Sequence, residues 1–225
     1  LDYFKTMNNY ARTKLKFLTK NYCKQVVLNV DDSYGCIFKK LVKTKLITYA
    51  LNNPATCFAI DVQNFANHTT FVANVLDEVM FVTINLPCIF NVYNTLSAII
   101  ACKVLGIESK NILNAIKTMP EVEGRMNCYA LHNNATAIID FAHTPDGLEK
   151  VLQNLSSIKT NGSIITVFGC GGNRDRLKRS KMGEIASKYS NKIIVTNDNP
   201  RNESPKQIAD DIVLGLKTNN YEIIL

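Results

Sequence analysis

The sequence lacks the features of a secreted, membrane-spanning or disulfide-stabilised protein. Its seven cysteines are an odd number with no Cys-x-x-Cys pair, and no apolar signal segment opens the chain. These absences predict a cytoplasmic protein without structural disulfides. The uncharged stretch from Leu86 to Cys102 is shorter than the roughly 20 residues of a membrane span, and it contains Pro87, Asn91 and Asn94. We therefore expect no transmembrane helix.

Internal repeats, low-complexity segments and a single basic block are also absent. The 225 residues are 46% hydrophobic and 20% charged, which is typical of one large or two small globular domains. Because lysines along the chain carry the formal charge of +7, we expect attraction to anionic small molecules and no nucleic-acid partner. The chain begins with Leu1 rather than Met and ends in the strand-like run 223–225, so we expect both ends to be cut.

The apolar patterns predict two α/β domains, residues 1–122 and 123–225, with the boundary near Pro120 to Gly124. In the second half, strands and helices alternate, which predicts a parallel, doubly wound, Rossmann-like sheet. The first half is less regular and predicts a mixed sheet with helices. The predicted strands are 25–30, 46–49, 79–85, 137–141, 164–168 and 192–196, and the first half adds helices over 7–18 and about 93–105. In the second half, Thr144 with Pro145 and Ser204 with Pro205 are typical helix starts.

Three polar runs each follow a predicted strand of the second half. They are Asp140-Phe-Ala-His-Thr-Pro-Asp146, Phe168-Gly-Cys-Gly-Gly-Asn-Arg-Asp175 and Asn197-Asp-Asn-Pro-Arg201. Open α/β sheets bind ligands at the carboxyl ends of their strands, so these runs predict one ligand-binding edge. The edge would carry a carboxylate, an imidazole, a glycine-rich turn and arginines, which suit a phosphorylated, carboxylated ligand.

Each run also has a simpler interpretation. The glycine turn 169–172 is either a phosphate turn or a plain tight turn, and Arg174 stands where a dinucleotide fingerprint needs glycine. The cations of 173–179 either recognise anions, with Arg174 and Arg201 converging on one ligand, or form a solvated helix face. Asp140 and His143 either face the ligand or act as capping groups.

Taken together with motifs of the first half, these runs resemble the ATP-dependent Mur ligases of peptidoglycan synthesis, and within them the UDP-N-acetylmuramoyl-tripeptide synthetases, called MurE. The resemblance extends over nearly the whole chain. It rests on Leu1-Asp-Tyr3, Met7, Tyr10, Lys14, Asn29-Val-Asp-Asp32, Phe90-Asn-Val-Tyr-Asn94, Gly124-Arg-Met126 and the three runs above.

The resemblance implies a reaction. ATP phosphorylates the carboxylate of UDP-N-acetylmuramoyl-L-alanyl-D-glutamate, and the amine of meso-diaminopimelate attacks the acyl phosphate to form an amide, in the presence of magnesium. Such chemistry needs charge neutralisation and positioning more than a strong protein nucleophile. A monomer is expected, and L-lysine is kept as an alternative amine.

The resemblance also implies roles for individual residues. Lys14 corresponds to a carbamylated lysine that places magnesium, with a catalytic role. Asn91 and Asn94 match asparagines beside the adenine of ATP. Arg125, Asp140 and His143 match catalytic residues that also meet the phosphates and ribose of ATP. The amino-acid substrate is expected to contact Arg174, Asp198, Asn199 and Arg201, and the arginine after Asp-Asn-Pro favours diaminopimelate, because a guanidinium can hold a second carboxylate.

Departures from the family leave two further interpretations open. Phe4, Cys88 and Asn127 replace a histidine, a glycine and a glutamate that the family usually has, so a non-catalytic binding or scaffolding relative is one alternative. A nucleotide-dependent oxidoreductase is the other, based on the glycine turn alone. The family's Walker-type phosphate loop and its Gly-x-Gly-His-Glu segment are not found in these residues, so we expect the chain to be inactive by itself.

Overall fold

The computed structural model describes residues 4–65, 67–120, 122–159 and 161–225. The chain divides into two compact units, Leu1–Ile139 and Asp140–Leu225. Both units combine helices and strands, which confirms the predicted α/β class. The predicted domain boundary between residues 122 and 123 stays a prediction.

The main sheet of the first unit is mixed. Among the described residues its strands are β1 (Gln25–Asn29), β2 (Lys45–Ala50), β3 (Cys57–Asn64), β4 (Thr69–Val75) and β5 (Glu78–Ile84). They lie side by side in chain order. β1, β2 and β3 are parallel, whereas β3, β4 and β5 are antiparallel and are joined by short turns. The mixed sheet predicted for this half is confirmed.

Four helices accompany this sheet within the described part of the unit: α1 (Met7–Phe17), α2 (Ser33–Leu41), α3 (Ile89–Val104) and α4 (Ser109–Thr118). The core lies between α3 and the sheet, where Leu96 and Ile99 of the helix join Phe71 and Val82 in one buried cluster. Fully burying one such side chain stabilises the fold by about 1.5–3 kcal/mol. Buried residues alternate along β4 because successive side chains point to opposite faces of a strand.

Helix α3 begins four residues before the predicted start near Tyr93. Its N-cap is Cys88, with φ of 84° and no side-chain capping bond. The backbone N–H of Cys88 donates to Oδ1 of Asn64 at 2.9 Å. A non-glycine residue with positive φ is rare, and cysteine is not among the residues that usually cap helices. Sequence patterns therefore did not identify this helix start.

The chain then forms a hairpin of β6 (Asn127–Ala130) and β7 (Thr136–Ile139). The two strands are antiparallel, with Asn127 opposite Ile139. The expectation that the strand at 137–141 opens the parallel sheet of the second half is therefore wrong. The connection from Leu131 to Ala135 is short, and such connections join antiparallel strands, whereas parallel pairs require a long crossover.

The second unit contains a parallel sheet in the order β10-β9-β8. Its elements are α5 (Pro145–Ile158), β8 (Ile165–Phe168), α6 (Leu177–Tyr189), β9 (Lys192–Thr196), α7 (Pro205–Val213) and β10 (Tyr221–Ile224). Crossover helices connect the strands, as a parallel sheet demands. Its core joins Leu152, Met182, Val195 and Ile212. The alternation of strands and helices predicted from Thr136 onward is confirmed, although in the described residues only β8, β9 and β10 form this sheet.

The two predicted helix starts are also found. Oγ1 of Thr144 accepts the N–H of Gly147 at 3.2 Å, as an N-cap should. Ser204 is the N-cap of α7 but makes no side-chain capping bond. No helix among the described residues has the length and apolar character that a membrane crossing needs.

Candidate active site

Two polar segments of the second unit are tied together at the carboxyl ends of β8 and β9. These strands are parallel neighbours, with Phe168 opposite Val195. The N–H of Gly172, in the glycine turn after β8, donates to the carbonyl of Asn199 at 2.9 Å. Nη1 of Arg201 donates to the carbonyl of Gly172 at 2.8 Å. The structure therefore brings together the second and third of the three predicted polar runs.

The glycines of this turn are needed for close packing against the 196–201 segment. A Cβ on Gly172 would lie 1.8 Å from the carbonyl oxygen of Pro200, and one on Gly169 would lie 2.3 Å from that of Thr196. Both distances are impossible for real atoms. The close backbone approach that the sequence suggested for a phosphate is thus made here by the protein's own chain.

Asp198 and Asn199 are held within the same loop. Oδ1 of Asp198 accepts the N–H of Asn199 at 2.7 Å, and Oδ1 of Asn199 accepts the N–H of Arg201 at 3.3 Å. Gly171 leaves room for the neighbouring guanidinium, because a Cβ there would lie 2.9 Å from Nη1 of Arg201. The loop thus fixes the backbone at Arg201.

The four cations of the predicted basic run have different environments. Arg179 is fully buried, Arg176 pairs with Glu203 at 2.9 Å, and Nζ of Lys178 donates to the carbonyl of His143 at 2.8 Å. Arg174 is exposed, and among the described residues it forms no ion pair. The interpretation of this run as one solvated helix face is therefore wrong, since its members face different surroundings.

Arg179 forms an ion-pair cluster that sequence patterns missed. It donates to both carboxylate oxygens of Glu203 at 3.0 Å and to Asp211 at 2.8 Å. Hydrogen bonds from Arg179 and then from the backbone N–H of Asn173 lower the pKa of Glu203 to about 2. The pKa of Arg179 is raised, chiefly by its bond to Glu203, and burial only partly opposes that. The sequence offered only an arginine followed 24 and 32 positions later by acidic residues, Glu203 and Asp211.

The first polar run adjoins α6. Asp140 accepts the N–H of Ala142 at 2.8 Å, and Nδ1 of His143 lies 3.1 Å from the carbonyl of Phe141. The bond from Lys178 to His143 connects this run to the helix that also carries Arg179. It is not an extension of the sheet edge at β8 and β9, because β7 pairs with β6. The single edge predicted for all three runs is corrected accordingly.

Asn91 and Asn94 lie in the first turns of α3, in the first unit. Asn91 is buried, and its Nδ2 donates to the carbonyl of Pro87 at 2.6 Å. Its Oδ1 accepts Nδ2 of the exposed Asn94 at 3.3 Å. Neither asparagine is the N-cap of α3, because Cys88 holds that position. The amide nitrogen of Asn94 is therefore engaged by Asn91.

Beside these asparagines lies a second network that sequence patterns missed. The carboxylate of Asp31 accepts the backbone N–H groups of Leu51, Asn52 and Asn53 at 2.6–3.0 Å and the hydroxyl of Tyr93 at 2.7 Å. Burial alone would raise the pKa of Asp31, but these hydrogen bonds outweigh it and the pKa is lowered. Burial first, and then the bond to Asp31, raise the pKa of Tyr93. The Asn29 to Asp32 motif therefore anchors the loop after β2 to α3.

Lys14 and Arg125 are the remaining predicted site residues. Lys14 is exposed on α1, with Nζ 5.4 Å from the centre of the Tyr10 ring. The N–H of Arg125 donates to Oδ1 of Asn127 at 3.3 Å, in the turn before β6. Within the described part of the chain, no group of three or more His, Cys, Asp or Glu residues is arranged to hold a metal ion. The part of the resemblance at residues 1–3 lies outside the described residues.

Comparison with known proteins decides the family. Residues 1–102 match the family described as "Mur ligase middle domain", and residues 124–224 match "Mur ligase, glutamate ligase domain". The chain belongs to the Mur ligase family. The predicted resemblance is thus confirmed for both halves, and the oxidoreductase alternative has no support.

Among the relatives of this Mur ligase chain is UDP-N-acetylmuramoyl-L-alanyl-D-glutamate--2,6-diaminopimelate ligase 1 of Clostridium acetobutylicum. It is 41% identical over 227 residues, which cover 100% of this chain and 46% of the relative. The corresponding enzyme of Clostridium botulinum is 40% identical, with the same coverage. The chain therefore spans about half the length of the curated relatives it matches.

Solved Mur ligase structures agree in fold. A structure of a UDP-N-acetylmuramoyl-L-alanyl-D-glutamate--2,6-diaminopimelate ligase is 31% identical with a TM-score of 0.59, and the match covers 97% of this chain and 46% of that one. The MurF ligase of Thermotoga maritima in complex with ADP has a TM-score of 0.70 at 14% identity. That match covers 98% of this chain and 48% of MurF. The second likeness shows the fold alone.

Proposed function

We propose that the protein containing this chain is an ATP-dependent ligase that joins meso-diaminopimelate to UDP-N-acetylmuramoyl-L-alanyl-D-glutamate. Family membership supports a ligase, and the relatives' printed names support this pair of substrates. The 225 residues would supply the amine-binding groups and part of the nucleotide site.

The proposed reaction has two steps. An oxygen of the D-glutamyl side-chain carboxylate attacks the γ-phosphorus of ATP, and the bond to the bridging oxygen breaks to release ADP. An uncharged amine of diaminopimelate then attacks the acyl carbon, loses a proton and expels inorganic phosphate, leaving an amide. Both steps bring anions together, so they need fixed cations and exact positioning of the reactants.

The proposal rests mainly on the positive charges of Arg174 and Arg201. Among the described residues neither forms an ion pair, although the neighbouring Arg176 and Arg179 are held by carboxylates. Both are exposed, and both adjoin the glycine turn, because Arg174 follows it and Arg201 donates to its Gly172 carbonyl. Two cations without an internal partner suit a ligand with more than one carboxylate. Diaminopimelate has two, whereas lysine has one.

On the nucleotide side, we assign adenine contact to Asn94 and a supporting role to Asn91. The Asn91 amide is already engaged on both sides, by Pro87 and by Asn94. The exposed amide oxygen of Asn94 is available to the exocyclic amine of adenine. We keep Arg125, Asp140 and His143 as proposed contacts of the phosphates and ribose, Asp198 and Asn199 as proposed contacts of the amine, and catalytic roles for the first three.

The described residues do not by themselves fit a magnesium site. Magnesium prefers oxygen ligands in octahedral geometry, whereas the unmodified Lys14 is an exposed cation with no carboxylate cluster around it in the described residues. A carbamate on Lys14 would supply the missing oxygens. That modification, its catalytic role and magnesium itself stay predictions.

We further infer a cytoplasmic monomer. The seven cysteines are odd in number and include no Cys-x-x-Cys pair, which favours a reducing compartment. The proposed substrates are small, highly charged molecules.

The test is an assay of the full-length protein with ATP, UDP-N-acetylmuramoyl-L-alanyl-D-glutamate and one amine at a time. We expect phosphate release only when nucleotide, dipeptide substrate and diaminopimelate are all present, with a product whose mass equals dipeptide plus diaminopimelate minus water. Phosphate release without any amine product, or inert behaviour with both diaminopimelate and lysine, would contradict the proposal.

A further inference from the structure

The carboxylate of Glu203 lies where the glycine turn, the Asp198 to Arg201 loop and helix α6 meet. Its Oε1 accepts the N–H of Asn173 at 2.5 Å and Nη2 of Arg179 at 3.0 Å. Its Oε2 accepts Nη1 of Arg179 at 3.0 Å and forms an ion pair with Nη2 of Arg176 at 2.9 Å. Each carboxylate oxygen of Glu203 therefore has two partners within the protein.

The buried side chain of Arg179 binds this carboxylate. Its side chain is fully buried, so it is not available to a dissolved substrate. Besides Glu203, it donates to Asp211 on α7 at 2.8 Å and approaches the carbonyl of Gly171 at 3.4 Å. A planar guanidinium can hold two carboxylates and a carbonyl at fixed angles, which a lysine cannot do.

The contacts of Glu203 connect the two segments that carry Arg174 and Arg201. Asn173 adjoins Arg174, and the N–H of Asn202, next to Arg201, donates to Oδ1 of Asn173 at 3.1 Å. The N–H of Glu203 itself closes a turn onto Pro200 at 3.0 Å. Removing the Glu203 carboxylate would therefore loosen the turn and the loop at the same time.

Charge supports the same conclusion. Arg176 and Arg179 together carry two positive charges, and Glu203 and Asp211 carry two negative charges, so this cluster is formally neutral. Outside this cluster, the charged groups beside the glycine turn include Arg174, Arg201 and the carboxylate of Asp198. Without Glu203, a buried cation would lose one of its two counterions, and the local field would change along with the geometry.

We propose that Glu203, held by Arg179, is a positioning residue for amine recognition. It fixes the glycine turn to the Asp198 to Arg201 loop, so that Arg174 and Arg201 meet the second carboxylate of diaminopimelate in one arrangement. This inference rests on the proposed function for its substrate, while the geometry of the contact does not depend on it.

The experiment compares Glu203→Gln with Asp211→Asn in the full-length protein. Both changes remove one carboxylate from Arg179 while keeping the size of the side chain, but Asp211 does not contact the turn or the loop in the described residues. We expect Glu203→Gln to raise KM for diaminopimelate roughly tenfold, with KM for ATP and kcat at saturation within about twofold of the unmodified protein. Asp211→Asn should leave all three within about twofold.

Hydrogen exchange provides a readout that does not depend on turnover. The N–H groups of Asn173 and Asn202 are donors in this contact, so peptides covering 169–173 and 198–202 should exchange faster in Glu203→Gln than in Asp211→Asn. If Glu203→Gln does not fold, Glu203→Asp keeps the charge but is one methylene too short to reach both Asn173 and Arg179. The same selective rise in KM is expected for it.

Three outcomes would overturn the positioning role: equal effects of Glu203→Gln and Asp211→Asn, an equal rise in KM for ATP and diaminopimelate, or unchanged exchange in both peptides. An unmodified protein that is inactive with diaminopimelate but shows the predicted exchange difference would instead refute the proposed function and leave the contact in place.

Discussion

At the scale of single residues, the carboxylates around an arginine decide whether it can serve a ligand. Arg179 is buried between Glu203 and Asp211 and acts on its own protein. The guanidinium of Arg201 donates only to the carbonyls of Gly172 and Asn199 among the described residues, so its charge is not neutralised there. The two side chains are chemically identical and lie in the same unit, yet their surroundings give them different roles.

Arg201→Ala should raise KM for diaminopimelate in the full-length protein by roughly 30-fold or more, because a charge-assisted hydrogen bond is worth about 1.5–3 kcal/mol. KM for ATP should change by less than about threefold. Steady-state kinetics with each substrate varied in turn measures both. Lys206→Ala, which removes an exposed cation from the first turn of α7, is the matched control. If Arg201→Ala changed both KM values equally, its role would be structural.

Asp31 predicts a pH dependence of stability in the first unit. Its pKa lies below the ordinary value of 3.8 in the folded state, because its hydrogen bonds favour the charged form. The stabilisation is therefore fully present above about pH 4 and is lost as the pH falls through the folded-state pKa. Asp31→Asn should lower the free energy of unfolding by about 1–3 kcal/mol at pH 7 and by less at pH 3.

Urea unfolding of the full-length protein at both pH values, followed by a probe in the first unit, measures this difference. Asp61→Asn, which changes an exposed carboxylate on β3, should have an effect within about 0.5 kcal/mol at either pH. An Asp31→Asn effect that grew toward acidic pH would contradict the described network.

At the scale of elements, the glycine turn after β8 allows the chain to pack closely against the 196–201 segment. Gly172→Ala would place a Cβ 1.8 Å from the Pro200 carbonyl, so the turn or the loop must move. We expect a cost of about 3 kcal/mol or more in the free energy of unfolding. Gly162→Ala is the comparison, because no atom lies within 4 Å of its added Cβ and only its φ of 82° opposes alanine. That substitution should cost about 1 kcal/mol in the same denaturation experiment. Equal costs would show that the close approach at Gly172 is not formed.

Local sequence patterns predicted the elements with strong local signals and missed those that depend on distant partners. The start of α5 was readable because Thr144 and Pro145 act within one turn. Strands β3 and β4 were not predicted, since their apolar residues are defined by pairing with each other and with β5. The departure of β7 from the parallel sheet depends on its pairing with β6, which no local propensity encodes.

The same distinction holds for the candidate site. The resemblance identified Arg174, Asp198, Asn199 and Arg201 by motif, and the structure brings the last three against the glycine turn. It could not identify Glu203 and Arg179 as a pair, because 24 residues separate them and only the fold brings them together. Lys14 was identified by motif alone, and the described residues around it do not test its role.

At the scale of the whole molecule, the chain contains two units of a Mur ligase and spans about half the length of its curated relatives. Its proposed activity belongs to the full-length protein. The first unit would supply the adenine contacts on α3, and the second would supply the amine-binding turn and loop. We propose that this second unit selects an amine with two carboxylates.

The most direct test is the ratio of kcat/KM for meso-diaminopimelate to kcat/KM for L-lysine, measured on the full-length protein with ATP and UDP-N-acetylmuramoyl-L-alanyl-D-glutamate. A site built to hold a second carboxylate leaves its cations unpaired when lysine binds, so the ratio should be at least about 100. It should fall by roughly tenfold or more in Arg201→Ala. A ratio near one, or a preference for lysine, would show that the second unit does not select for the second carboxylate.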